Sequence, residues 1–314
     1  MTGARPRVAL VSTGEFAHLD DDLPLLSAAL DEAGVDPVTV DWHDEGVRWS
    51  AVDLAVIRST WDYTSHLDAF LDRLEDIAAA TTLLNPLPVV RANADKRYLA
   101  ALAAAGVPVV PTEVIEPGDD IRVPDDVPYV IKPTVSAGGR DTERYALDDA
   151  TAAAAHVAGL LDAGRAVLVQ PYVEGIDDAG ETGMVFVGDA FSHAFRKGPI
   201  LRPDAGFVEG LYREEEITGR TATAAEREAA EAVLDAVGVV APGWTRADLL
   251  YARVDLVPGP EGPMLMELEL IEPSLFLHVE PDAPRRAAAA ICARLGVVEA
   301  APPAADGGRE GPIR

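Results

Sequence analysis

Lysine is the scarcest charged residue of this 314-residue chain. Twenty-three of its 26 basic residues are arginine, and lysine stands only at positions 96, 132 and 197. Basic charge as a whole is short: 53 acidic residues leave a formal net charge of -27. Binding a nucleic-acid backbone needs a basic face, so that partner is excluded, and docking on an anionic membrane is disfavoured for the same reason. A single cysteine, Cys292, rules out an internal disulfide framework and a cysteine-rich zinc site. It falls in the alanine-rich run AAAAICARL, where a buried inert thiol is expected. No apolar run reaches the ~18 residues of a membrane span, and the four-residue apolar stretch near the N-terminus reads as a first strand. A cytoplasmic protein is expected. No G-x-G-x-x-G follows that strand, so the dinucleotide fingerprint is missing.

What is present is a sizeable core: 48% of the residues are hydrophobic and 25% charged, ordinary for a globular protein. Length alone suggests about two domains. VALVS (8–12), DPVTVDW (36–42) and DLAVIRS (53–59) read as strands. They alternate with a helix from about Leu23, N-capped by Asp22, and another over 66–80. This predicts an α/β domain with a parallel sheet in residues 1–92. Asn93 is read as the N-cap of a helix ending at Gly106. An α+β unit follows over 93–172: PYVIKP (128–133), the glycine loop TVSAGGRD, a helix near 148–162 and AVLVQPYV (166–173). Residues 173–300 are richer in strands, with helices near 223–237 and 283–295. A disordered tail is expected over 301–314.

The three lysines share one property. Lys96 lies at the start of a helix; Lys132 and Lys197 each end a strand. At such edges side chains converge on a cleft, and a compact ammonium suits phosphate. Four residues after Lys132 begins S-A-G-G-R-D, whose glycines would let backbone N–H groups approach an anion. Further along, alternation puts Arg253 and Asp255 on one face of a strand, and Glu267 and Glu269 on one face of the next. Three carboxylates on paired apolar strands repel unless a cation neutralises them. Hard oxygen ligands of this kind suit Mg²⁺ or Mn²⁺. Arg58, at a strand end followed by Trp61 and Tyr63, sits where α/β domains present ligands. Its guanidinium could clasp a substrate carboxylate, while Trp61 and Tyr63 fit substrate contact and domain packing equally. The six histidines show no metal-ligand spacing, and His193 reads as a satisfied core histidine.

In order, N-A-D-K (93–96), V-I-K-P (130–133), S-A-G-G-R (136–140), L-V-Q-P-Y-V (168–173), R-V-D (253–255) and M-E-L-E (266–269) resemble the ATP-grasp superfamily over about two-thirds of the chain. R-S-T-W-D-Y (58–63), N-P-L-P-V-V (85–90), F-S-H-A-F-R-K-G-P (191–199) and E-L-E-L-I-E-P-S-L-F-L (267–277) are similar to its group of cycloserine-pathway cyclo-ligases. The resemblance implies two α+β lobes gripping ATP behind an α/β domain. It implies ATP binding by Lys96, Lys132, Lys197, the loop residues Ser136, Gly138 and Gly139, and the hinge Gln170, Tyr172 and Val173. The ribose would go to Asp177 or Glu181. Asp255, Glu267 and Glu269 would hold Mg²⁺, and Lys132 and Arg253 would be catalytic, with Arg253 steadying an oxyanion. Arg140 could reach phosphate or substrate.

Glu269 stands where the superfamily more often has asparagine, and the segment after it is one residue longer than usual, leaving Glu272 and Ser274 without a role. The activity implied is an ATP-dependent carboxylate–amine ligase acting through an acyl phosphate on a small amino-acid-like substrate, with ring closure as one form. A phosphotransferase on the same lobes and a regulatory ATP-binding module are the alternatives. Oligomeric state is left open, a homo-oligomer included.

Overall fold

The computed structural model describes residues 4–199, 201 and 216–296. The tail expected over 301–314 lies outside them. Three sheets organise the chain. The first is parallel, in the order β2-β1-β3-β4, and is formed by β1 (Arg7–Ser12), β2 (Asp36–Asp41), β3 (Leu54–Ile57) and β4 (Thr82–Leu84). The crossover helices α1 (Asp22–Glu32) and α2 (Leu67–Ala80) cover opposite faces. Both faces of β1 are therefore apolar, which is why VALVS runs without alternation. Two short helices, α3 (Leu87–Asn93) and α4 (Tyr98–Ala104), lead onward.

The second sheet is antiparallel, in the order β5-β8-β6-β7: β5 (Glu113–Ile115), β6 (Tyr129–Pro133), β7 (Glu143–Tyr145) and β8 (Val167–Pro171). Helix α5 (Ala150–Asp162) packs on one side through Ala153, Val157 and Leu160. After the short α6 (Gly175–Ala179), the third sheet runs β11-β10-β9-β12-β13. Its strands are β9 (Glu181–Val187), β10 (Ala190–Lys197), β11 (Ile217–Arg220), β12 (Tyr251–Gly259) and β13 (Gly262–Glu269). Helices α7 (Ala224–Asp235) and α8 (Val237–Val240) bury the face that carries Met184, Phe186, Val254 and Leu268. The opposite face carries the charged residues and is left for a cleft. The last helix, α9 (Ala283–Leu295), folds back on α1 and shares one core with β1, β9 and β10. Cys292 is buried in that core. Among the described residues no helix is long and apolar enough to cross a membrane.

Two expected helix caps serve other ends. Asp22 does not cap α1. Its carboxylate accepts the backbone N–H groups of Leu275, Phe276 and Leu277 at 2.6, 3.0 and 2.7 Å. Phe276 is held at φ 49°, a conformation that turns successive N–H groups toward one anion. Three donors outbid the first turn of a helix. Asn93 closes α3 instead of opening a helix, and its side chain braces β13: Nδ2 donates to the Leu268 carbonyl and Oδ1 accepts from Leu270 N, both at 2.9 Å. Asn85 does the same between the first and third sheets. Its Nδ2 donates to the Tyr251 and Leu270 carbonyls, and its Oδ1 accepts from Leu250 N.

An N-cap asparagine tolerates serine, whereas a buried brace does not, because serine cannot reach both backbone groups. Asn93→Ser should therefore cost about 2 kcal/mol in denaturant unfolding. A change below about 0.5 kcal/mol would restore the capping role.

Candidate active site

Between the second and third sheets, and against the C-terminal edge of the first, lies a cavity of about 500 Å³. Its chemistry follows from one strand pair. β12 and β13 are antiparallel, with Arg253 opposite Glu269 and Asp255 opposite Glu267. Period-two alternation sends all four toward the cavity side while Val254 and Leu268 enter the core. Arg253 and Asp255 are 5% and 1% exposed. Charges so buried need partners, and most have them. Arg253 Nη2 lies 2.9 Å from Asp255 Oδ2 and also contacts Glu269. Lys197 Nζ is 3.3 Å from Asp255 and 3.5 Å from Glu181. Lys96 Nζ is 3.0 Å from Glu267 and donates to the Ser136 carbonyl. The lysines and the arginine hold the Asp255 and Glu267 carboxyls below the ordinary range in spite of burial. Glu269 is pushed up to about 7, by burial first and then by its acidic neighbours Glu267 and Asp255.

Two charges do not follow this pattern. Lys132, at the end of β6, is 8% exposed and lines the cavity. Among the described residues it makes no ion pair, and burial lowers its ammonium pKa. Glu272, just beyond β13, is also 8% exposed and lines the cavity. Burial, with Glu269 adding to it, pushes its carboxyl up to about 8.

The three lysines, the loop residues Ser136, Gly138 and Gly139, the hinge residues Gln170, Tyr172 and Val173, Glu181, Arg253, Glu267 and Glu269 all line this cavity. Asp255 lies directly beneath it, tied to Arg253 and Lys197. Gly138 and Gly139 adopt φ 62° and 71°, which a side chain would oppose. Gly180, at φ 70°, is needed for a close approach: a Cβ there would stand 2.4 Å from the Lys197 carbonyl. Of the two acids weighed for ribose, Glu181 lines the cavity. Asp177 does not; it accepts from Tyr172 Oη and pairs with Arg144 at 3.4 Å.

The substrate set divides. Trp61 and Tyr63 line the cavity, and Trp61 Nε1 donates to the Glu272 carbonyl at 3.4 Å. Tyr63 also packs on Phe70 within the first domain. Arg58 is 1% exposed and does not line the cavity. Its Nη2 donates to the Pro273 carbonyl at 3.0 Å and lies 3.5 Å from Asp22, because the 272–277 loop occupies the strand end where a ligand was expected. Arg140 is likewise displaced. It donates to Ser65 Oγ at 2.8 Å and lines a separate cavity of about 560 Å³. His193 is a satisfied core histidine, with Nε2 2.7 Å from the Leu275 carbonyl.

Sequence reasoning missed the wall formed by Asp20, Asp21, Asp22, Ser274, Phe276 and His278. The D-D-D run shortly after β1 was the available signal, since parallel sheets bind ligands beyond their strand C-termini.

The donor set of Asp255, Glu267 and Glu269 is three hard oxygens on facing strands, which fits Mg²⁺ chemically. Among the described residues no three acids or histidines form a ready-made metal cluster, because each of these carboxylates rests on a lysine or arginine instead.

The family model of the D-cycloserine synthetase DcsG N-terminal domain matches residues 8–85. The cycloserine biosynthesis protein DcsG of Streptomyces lavendulae is 39% identical over 300 residues, covering 92% of this chain and 98% of that protein. The crystal structure of D-cycloserine synthetase DcsG superposes with a TM-score of 0.83 at 37% identity, over 92% of this chain and 99% of that one. The D-alanine–D-alanine ligase of Bacillus anthracis, in complex with ATP, shares the fold at a TM-score of 0.65 and 13% identity, over 93% and 97%. Fold and cavity together define an ATP-grasp ligase, an enzyme that uses ATP to form a C–N bond. Within that class, the chain belongs to the D-cycloserine synthetase DcsG family.

The raised Glu272 carboxyl makes a prediction for the ligand-free protein. An acid whose pKa rises from 4.5 to about 8 on folding loses stability as pH climbs through that interval. Glu272→Gln should therefore be close to wild type at pH 4 and more stable by up to about 5 kcal/mol at pH 9, the full linkage value. Parallel melting curves with pH would refute this.

Proposed function

We propose that the chain closes a ring in an amino acid of the O-ureido-D-serine type, by activating its carboxylate with ATP. The observation that carries the site assignment is Lys132: a buried ammonium without an ion-pair partner among the described residues, beside a glycine loop, in a cavity whose other cations are engaged by carboxylates. Such a group is suited to a triphosphate.

A carboxylate is a poor electrophile until it carries a good leaving group. Lys96, Lys132 and Lys197 would hold the phosphates, with Ser136, Gly138 and Gly139 covering them. The hinge Gln170, Tyr172 and Val173 would take adenine and Glu181 the ribose. Asp255, Glu267 and Glu269 would hold Mg²⁺, which supplies charge shielding between phosphate oxygens. Arg253, anchored through Nη1 to the Ser274 carbonyl at 3.1 Å, is fixed to neutralise charge where the substrate carboxylate receives the γ-phosphoryl group. The acyl phosphate is then attacked by the oxygen-bound nitrogen of the same substrate. A C–N bond forms, the C–O bond to phosphate breaks, and the nitrogen loses its proton. Arg253 would stabilise the tetrahedral oxyanion. Positioning and charge neutralisation supply most of the rate in such transfers. Trp61 and Tyr63 would wall the substrate. A small-molecule partner of this kind agrees with a cavity of about 500 Å³.

Incubation with ATP, Mg²⁺ and O-ureido-D-serine should release ADP and phosphate together and yield a cyclic product by mass spectrometry. A phosphorylated product without free phosphate would favour the phosphotransferase. Lys132→Ala and Glu267→Ala should each abolish ADP formation, and full turnover by either would sink the assignment.

A further inference from the structure

Glu272 has no part in the reaction as derived above, yet it is the least accommodated charge in the cavity. Every other buried acid there has a partner. Glu181 pairs with Lys197, Glu267 with Lys96 and Glu269 with Arg253. Asp22 takes three backbone N–H groups, and Asp20 takes the N–H of Asp22. Apart from the backbone N–H of its own residue, the Glu272 carboxylate has no hydrogen bond or ion pair among the described residues, although the side chain is nine-tenths buried and lines the cavity. An uncompensated buried carboxylate is costly.

Its position is nonetheless rigidly held. Trp61 donates to its carbonyl, Arg58 to that of Pro273 and Arg253 to that of Ser274. Asp22 gathers the next three N–H groups. Four side chains thus fix the backbone around one buried carboxyl group that has no ion pair among the described residues. Glu272 also lies three residues from Glu269, and Trp61, which lines the same cavity, bonds its backbone.

We propose that Glu272 is the specificity-determining residue of the substrate site and binds the α-ammonium group of an amino-acid substrate. This rests on the ligase reading and assigns the residue that recognises the amino group of its amino-acid substrate. The geometry suits that class: an α-ammonium is one carbon from the carboxylate being activated, so its anchor must lie beside Arg253 and Glu269. The chemistry suits it too. A carboxylate beside the ammonium keeps it protonated, so the α-nitrogen cannot attack the acyl phosphate and the side-chain nitrogen closes the ring. An ammonium would in turn restore the charge that burial suppresses on Glu272.

The test compares ADP release from O-ureido-D-serine and from 3-(ureidooxy)propanoic acid, which lacks only the amino group. Wild type should reject the second by at least about 100-fold in kcat/KM, because it leaves the buried carboxylate unpaired. In Glu272→Gln the loss should fall on the amino acid, mainly in KM, and discrimination should drop below about tenfold. The KM for ATP and the half-saturating Mg²⁺ concentration should not move, and thermal unfolding with ATP analogue bound verifies folding. Glu272→Asp, which keeps the charge, should retain part of the discrimination.

A parallel arm measures calorimetric binding of D-serine and 3-hydroxypropanoate in the presence of a non-hydrolysable ATP analogue. Should O-ureido-D-serine yield no ADP, ring closure falls, while preference for D-serine that disappears in Glu272→Gln still upholds the anchor. The proposal is overturned if wild type shows no such preference, or if the glutamine variant keeps it in full. It is also overturned if the variant fails equally on both ligands with a raised Mg²⁺ requirement, which would make Glu272 a metal ligand.

Discussion

The cross-strand register of β12 and β13 is the constraint from which the rest of the site follows. It places Arg253 against Glu269 and Asp255 against Glu267 on a single buried face. Three carboxylates so close would unfold the strand pair unless neutralised, and the neutralising groups come from distant parts of the chain. Lys96 arrives from the segment between α3 and α4, and Lys197 from the end of β10. The Lys96–Glu267 pair joins the third sheet to the segment between α3 and α4, while the Lys197–Asp255 pair ties β10 to β12 within the sheet. The same groups that allow the acids to be buried form part of the cavity wall. Electrostatic compensation and site construction are one event here.

The second consequence concerns the loop after β13. Asp22, Arg58, Trp61, Arg253 and His193 all bond to the backbone of residues 272–277. The first sheet is thereby tied to the third through polar contacts at the cavity edge, in addition to the apolar core shared by α1, α9, β1 and β9. Pre-organisation of this kind is what a site needs if two reacting ends of one small molecule are to be held in register. The net charge of -27 matters little at this scale. Most of it is surface charge that favours solubility, whereas the cavity is governed by which charges have partners within a few ångströms.

Much of the architecture was legible in the chain itself. Buried parallel strands read as unbroken apolar runs, and α2 and α9 lie close to their expected bounds, because periodicity and composition are local properties. The same-face placement of Arg253, Asp255, Glu267 and Glu269 was equally legible, since alternation along a strand has no competing outcome. Where reading failed, a long-range partner outcompeted a local one. Asp22 and Asn93 are good helix caps by composition, but backbone groups more than 170 residues away offer more hydrogen bonds. Arg58 looked like a ligand-binding arginine at a strand end, yet the C-terminal loop occupies that place.

The sequence by itself singled out residues that the fold gathers at one cavity: the three lysines, the glycine loop, and the acids of two adjacent strands. Those depend on residue type and short spacing, which no fold can alter. Only the tertiary structure decided which charges neutralise one another, because the pairs formed between different elements of the site join residues 16 to 171 positions apart. That is why Lys132, singled out early, stands out as a buried cation with no ion pair among the described residues, and why Glu272, whose place the sequence left in doubt, stands out as a buried acid with none.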